Sequence, residues 1–88
     1  MKSYKELDKH WVIGVFSIDG CHVFMRWGGD GHDCYIDSGT PEGAEEFDTA
    51  AQARRWLNSD ENARRWHKYH PDARPLRVRS GFIVYAPR

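Results

Sequence analysis

The stretch from His10 to Asp37 constrains this chain more than any other. Short runs of apolar and β-branched residues are punctuated there by Asp19-Gly20 and by Gly28-Gly-Asp-Gly31. Asp-Gly is a favoured two-residue hairpin turn, because both central positions take positive φ. Runs punctuated this way fold as consecutive antiparallel strands, so the segment reads as a three-stranded meander. A two-residue loop at Asp19-Gly20 sets Ile18 opposite Cys21, Phe16 opposite Val23 and Val12 opposite Trp27. Carried across the second turn, the ladder sets Val23 opposite Ile36 and Met25 opposite Cys34, all on one apolar face. On the other face Arg26 meets Asp33, Phe24 meets Tyr35 and His22 meets Asp37, so that opposite charges and aromatic rings land together.

Residues 38–47 form a Gly/Pro/Glu loop. Thr49-Ala-Ala-Gln52 then has capping-box spacing, in which the hydroxyl satisfies a free amide and the glutamine reaches back. Ala50, Ala53 and Leu57 form the inward stripe of a first helix, with Trp56 at its margin and Arg54 and Arg55 outward. A single helix continuing to Tyr69 would place Arg64 in that stripe and swing Trp66 away from Leu57. A break at Asn58-Ser59 with Ser59 or Asp60 as a new cap removes both conflicts, and Asp60–Arg64 and Glu61–Arg65 then pair at i,i+4. Acids open this second helix and His67, Lys68 and His70 close it, as the helix dipole favours. Leu76-Arg-Val-Arg79 alternates as a strand, Ser80-Gly81 turns or bulges, and residues 82–85 form a buried strand. The expected architecture is α+β: a three-stranded antiparallel meander, two short helices, and one or two C-terminal strands closing the sheet.

Eighty-eight residues suffice for one small domain over 1–88. The polar N-terminus lacks the apolar run of a signal peptide, and no run approaches the ~18 residues of a membrane span. The expectation is a cytoplasmic chain with reduced thiols and no membrane contact. In the proposed register Cys21 and Cys34 are about 13 Å apart at ~3.4 Å per residue, too far for a disulfide.

Chemistry is hard to place on these residues. Cys21, His22, His32, Cys34, His67 and His70 are all zinc-ligand types, but their spacing matches no common site, so no metal is expected. Cys34 faces the core beside Met25 in the proposed register, a poor place for a nucleophile, and Cys21 sits next to a turn with His22 on the opposite face, so the expected role of cysteine is that of a small buried hydrophobe. No phosphate loop, nucleophile elbow or HExxH motif occurs. The sequence reads as a non-enzymatic chain without cofactors.

Its formal charge is zero, yet the charge is segregated. Residues 1–48 carry ten acids (Glu6, Asp8, Asp19, Asp30, Asp33, Asp37, Glu42, Glu45, Glu46, Asp48) against four bases (Lys2, Lys5, Lys9, Arg26), a net −6. Residues 49–88 carry nine bases (Arg54, Arg55, Arg64, Arg65, Lys68, Arg74, Arg77, Arg79, Arg88) against three acids (Asp60, Glu61, Asp72), a net +6. Such asymmetry points to a charged partner. Nucleic acid is one reading, because Arg54-Arg-Trp56 and residues 64–69 interleave cations with stackable rings. A protein partner is the favoured one. Trp, Tyr and Arg suit interface hot spots. The second sheet face (Trp11, Ile13, Val15, Phe24, Tyr35) is also too apolar to stay in water, so either a helix or a partner, a second copy of the chain included, must cover it. The expected partner-binding residues are Arg54, Arg55, Arg64, Arg65, Lys68, Trp11, Phe24 and Tyr35.

Residues 44–57, from Ala44-Glu-Glu-Phe-Asp-Thr49 to Arg54-Arg-Trp-Leu57, follow three antiparallel strands in a tiny chain. This strand, acidic loop, Phe-Asp-Thr cap and Trp-bearing helix resemble small phage-encoded inhibitors of the anti-CRISPR type. The resemblance implies a protein that blocks a host nucleoprotein surface. Arg26-Trp-Gly-Gly29 with Gly31 is similar to the start of the DNA-end-binding WGR domain. Gly29 stands where that motif has arginine, and the DNA contact is not carried over.

Overall fold

The computed structural model describes residues 9–16, 22–29, 31–79 and 82–84. Its strands are β1 (Lys9–Val15), β2 (Val23–Gly29), β3 (His32–Ser38), β4 (Arg74–Arg79) and β5 (Phe82–Val84). Two helices, α1 (Ala50–Ser59) and α2 (Glu61–Tyr69), intervene between β3 and β4. The strands form one antiparallel sheet in the order β3-β2-β1-β4-β5. The architecture is α+β, with the expected meander, short helices and closing strands. The sequence signals at Cys21 and Ser80-Gly81 lie outside the described residues, as does the Asp19-Gly20 turn.

The register differs from the one the turn signals suggest. β1 and β2 pair only at Gly14–Phe24 and Val15–Val23, one residue away from the expected Phe16–Val23 alignment. Gly14 permits that contact, since a Cβ there would lie 2.6 Å from the Val23 carbonyl oxygen. Between β2 and β3, Phe24 faces Ser38, Met25 faces Asp37, Arg26 faces Ile36 and Trp27 faces Tyr35. Two causes produce this slip. The chain reverses between Gly29 and His32, with Gly29 (φ 64°) and Gly31 (φ 88°) in the glycine-favoured region, so the turn is tighter than a four-residue loop. A bulge between Trp27 and Gly29 then adds one residue and exchanges the two faces of the strand.

Both faces of the sheet are consequently apolar and both are buried. Ile13, Met25 and Tyr35 pack with Phe47, Ala53, Leu57, Ala63, Trp66 and Ala73 on the helical side, flanked by Trp11, Val15 and Val23. Val12, Phe24, Leu76 and Val78 pack with Ala44 and Phe16 on the other. Phe24, Ile13, Met25, Leu76, Val12 and Val78 are the largest fully buried side chains, each contributing roughly 1.5–3 kcal/mol by area removed from water. Trp11, Phe24 and Tyr35 therefore do not form an exposed partner-binding patch. The helices cover Trp11 and Tyr35, and the exchanged face carries Phe24 into the second core, where none of it is exposed.

The acidic loop has a structural role that its composition does not announce. Beyond Gly14 and Phe24 the partners β1 and β2 separate, and residues 45–47 occupy the opening. The Glu45 amide donates to the Met25 carbonyl at 3.0 Å, the Phe47 amide to Trp11 O at 2.8 Å, and the Trp11 amide to Phe47 O at 2.9 Å. The segment thus presents Ala44 to one core and Phe47 to the other. Thr49 caps α1 as its sequence predicts. Its hydroxyl oxygen accepts from the Gln52 amide at 3.1 Å, and Gln52 Oε1 accepts from the Asp48 amide at 2.9 Å. Asp60 ends α1 and starts α2: its amide donates to Trp56 O, and its carboxylate accepts from the Ala63 amide at 3.0 Å.

Candidate functional site

Helical periodicity places the cations outward. In α1, Ala53 and Leu57 are buried and Arg54 and Arg55 are exposed; in α2, Ala63 and Trp66 are buried and Arg64, Arg65 and Lys68 are exposed. Four of these residues make no ion pair among the described residues. The fifth, Arg65, lies 3.5 Å from Glu61 at i,i+4, both well exposed, a contact worth about 0.3–0.5 kcal/mol. Arg64 and Lys68, one helical turn apart, are shared by two adjoining surface depressions. One is completed by Glu61 and Arg65, the other by Leu57, Asn58, His67 and Pro71 where the helices meet. The fold therefore gathers Arg64, Arg65 and Lys68 into one cationic surface with His67 at its margin. Arg54 and Arg55 lie outside both depressions.

The rings interleaved with these cations have other employment. Trp66 is buried, and its indole N–H donates to Asp37 Oδ1 at 2.9 Å. His70 Nε2 meets the same oxygen at 2.9 Å, with its ring 4.5 Å from that of Trp66. The Trp56 indole N–H donates to the Tyr35 hydroxyl at 2.9 Å, and that hydroxyl donates to Glu45 Oε1 at 3.2 Å. Burial pushes the Tyr35 phenol well above its ordinary range; the Trp56 hydrogen bond opposes the shift and the Glu45 charge adds to it. Of the three rings next to the cations, Tyr69 alone is largely free, at 83 % exposure.

Sequence reasoning missed the exposed apolar residues Trp27 and Ile36. It placed both on the core face because it assumed the wrong register. It also gave no role to Glu45 and set Asp37 against His22, whereas Asp37 meets Trp66 and His70 and Glu45 meets Tyr35, partners more than nine residues away in sequence. Cys34 is a free thiol on β3, opposite neither Met25 nor another cysteine of the described residues. Among those residues no three His, Cys, Asp or Glu side chains gather as a metal site does, and no helix is long and apolar enough to cross a membrane. No protein-family model matches this chain, and no curated protein or solved structure matches it either.

Proposed function

We propose that this chain is a small non-enzymatic binding protein whose outward cationic surface, centred on Arg64, Arg65 and Lys68, meets an acidic surface on a partner protein. One observation carries the reading. The cations are exposed and almost unpaired, while Trp66, a ring that a single-stranded nucleic acid would stack upon, is buried and tied to Asp37. What remains is a charged surface suited to carboxylates, with Arg54 and Arg55 also exposed on α1. The resemblance of residues 44–57 to small phage inhibitors suggests a specific form, in which the partner belongs to a host defence nucleoprotein complex.

Charge reversal with a nuclease control tests this. The tagged chain should capture a protein from host lysate that survives nuclease treatment, and Arg64→Glu with Lys68→Glu should abolish the capture. Binding of the purified chain to DNA or RNA should be weak at ~150 mM salt. Sub-micromolar nucleic-acid binding that loses about one unit of log–log salt slope per arginine removed would instead establish the nucleic-acid reading.

A further inference from the structure

We propose that the depression at the start of α1 is a docking site for an arginine side chain presented by a partner protein, with Trp56 as its stacking wall and the carboxylates of Glu45, Glu46 and Asp48 as counter-charges. The depression is lined by those four residues together with Phe47 and Gln52. It shares no residue with the cationic depressions on α2, so this proposal and the one above stand or fall separately.

The parts are held in place before any ligand arrives. Trp56 is 38 % exposed, and its indole N–H is fixed by the Tyr35 hydroxyl at 2.9 Å. The same hydroxyl holds Glu45 Oε1 at 3.2 Å. Tyr35 is thus a positioning residue, too buried to touch a ligand, that orients both the ring and one carboxylate. The backbone beneath is pinned on both sides, by Glu45 to Met25 and by Phe47 to Trp11. Phe47 lies 6.4 Å from Trp56 between ring centroids and closes the floor. Beyond Tyr35 the aromatic surface continues to Trp27, 5.1 Å away and 41 % exposed.

Charge and shape together select the occupant. The lining carries three carboxylates and no cation beside the partly exposed ring of Trp56. A cation over the face of an indole is attracted by the ring quadrupole. Arginine fits better than lysine, because a planar guanidinium stacks on indole while its fork donates to carboxylates. Glu46 also has His10 Nε2 at 3.9 Å, a contact that competes for one carboxylate when the imidazole is protonated.

The test titrates the ¹⁵N-labelled full chain with a blocked Gly-Arg-Gly-Arg-Gly peptide, its lysine counterpart and its glutamate counterpart. The Trp56 indole N–H resonance should shift with the arginine peptide at lower concentration than with the lysine one, and not at all with glutamate. Trp56→Leu, which keeps every carboxylate, should weaken arginine-peptide binding about tenfold. That variant also removes the donor to Tyr35, so Glu46→Lys, at an exposed carboxylate, is the companion that leaves the fold in place. It should lose binding with an unchanged circular dichroism spectrum. Equal affinity in wild type and Trp56→Leu, or no shift at Trp56, overturns the proposal. Concentration-dependent shifts at Trp56 without peptide, removed by Arg55→Glu or Arg64→Glu, overturn the assignment to a separate partner and make a second copy the occupant.

Discussion

Asp37 fastens the helical layer to the edge of the sheet. Its Oδ1 accepts from the Trp66 indole and meets His70, so one carboxylate on β3 holds both the middle and the end of α2. Asp37→Ala would strand the indole donor of a side chain only 4 % exposed, and should cost about 1–3 kcal/mol in urea unfolding. Trp66→Phe in the Asp37→Ala background should recover part of that loss, because the stranded indole donor is then gone. Tyr35 gives a pH dependence of definite sign. Its phenol is neutral in the fold at pH values where an unfolded tyrosine, with a pKa of about 10, already ionises. The folded chain then holds more protons than the unfolded one, so the stability this group contributes is complete below about pH 10 and declines as pH rises further. Unfolding midpoints measured from pH 8 to 12 should fall above pH 10, and Tyr35→Phe should fall less steeply.

Asp60 is the joint between the two helices. It terminates α1 through its amide and begins α2 through its carboxylate, which turns the chain without an intervening loop. That turn keeps Arg64 out of the core and brings Trp66 into it. Asp60→Ala should cost ~1 kcal/mol as the lost N-cap, whereas Asp60→Asn should lose only a fraction of that. By contrast, the Arg64→Glu and Lys68→Glu reversals lie on exposed faces, and each should stay within ~0.5 kcal/mol of wild type in the same assay. The helices and their caps were legible because their signals are local: Thr49, Gln52 and Asp60 act within three or four residues of themselves. The opening between β1 and β2 was not, because nothing in Glu45-Glu-Phe47 marks it as a strand.

At the scale of the whole molecule, acidic and basic surfaces coexist on a chain of formal charge zero and pI near 7.0. Nothing repels two such molecules at neutral pH, and oppositely charged surfaces attract across less than a Debye length of about 10 Å at 0.1 M salt. Solubility in low salt should pass through a minimum near pH 7 and rise on addition of ~0.5 M NaCl, measurable by precipitation with polyethylene glycol. The sequence by itself determined the fold class, the two helices with their caps and the outward placement of Arg54, Arg55, Arg64, Arg65 and Lys68, because periodicity and capping are read over a few residues. Only the tertiary structure decided the register, the neighbours of Trp11, Phe24 and Tyr35, and the joining of Glu45 to Trp56 through a buried phenol. Strands apolar on both faces carry no alternation to say which side is inward, so a bulge and a tight glycine turn, acting with contacts distant in sequence, make that choice.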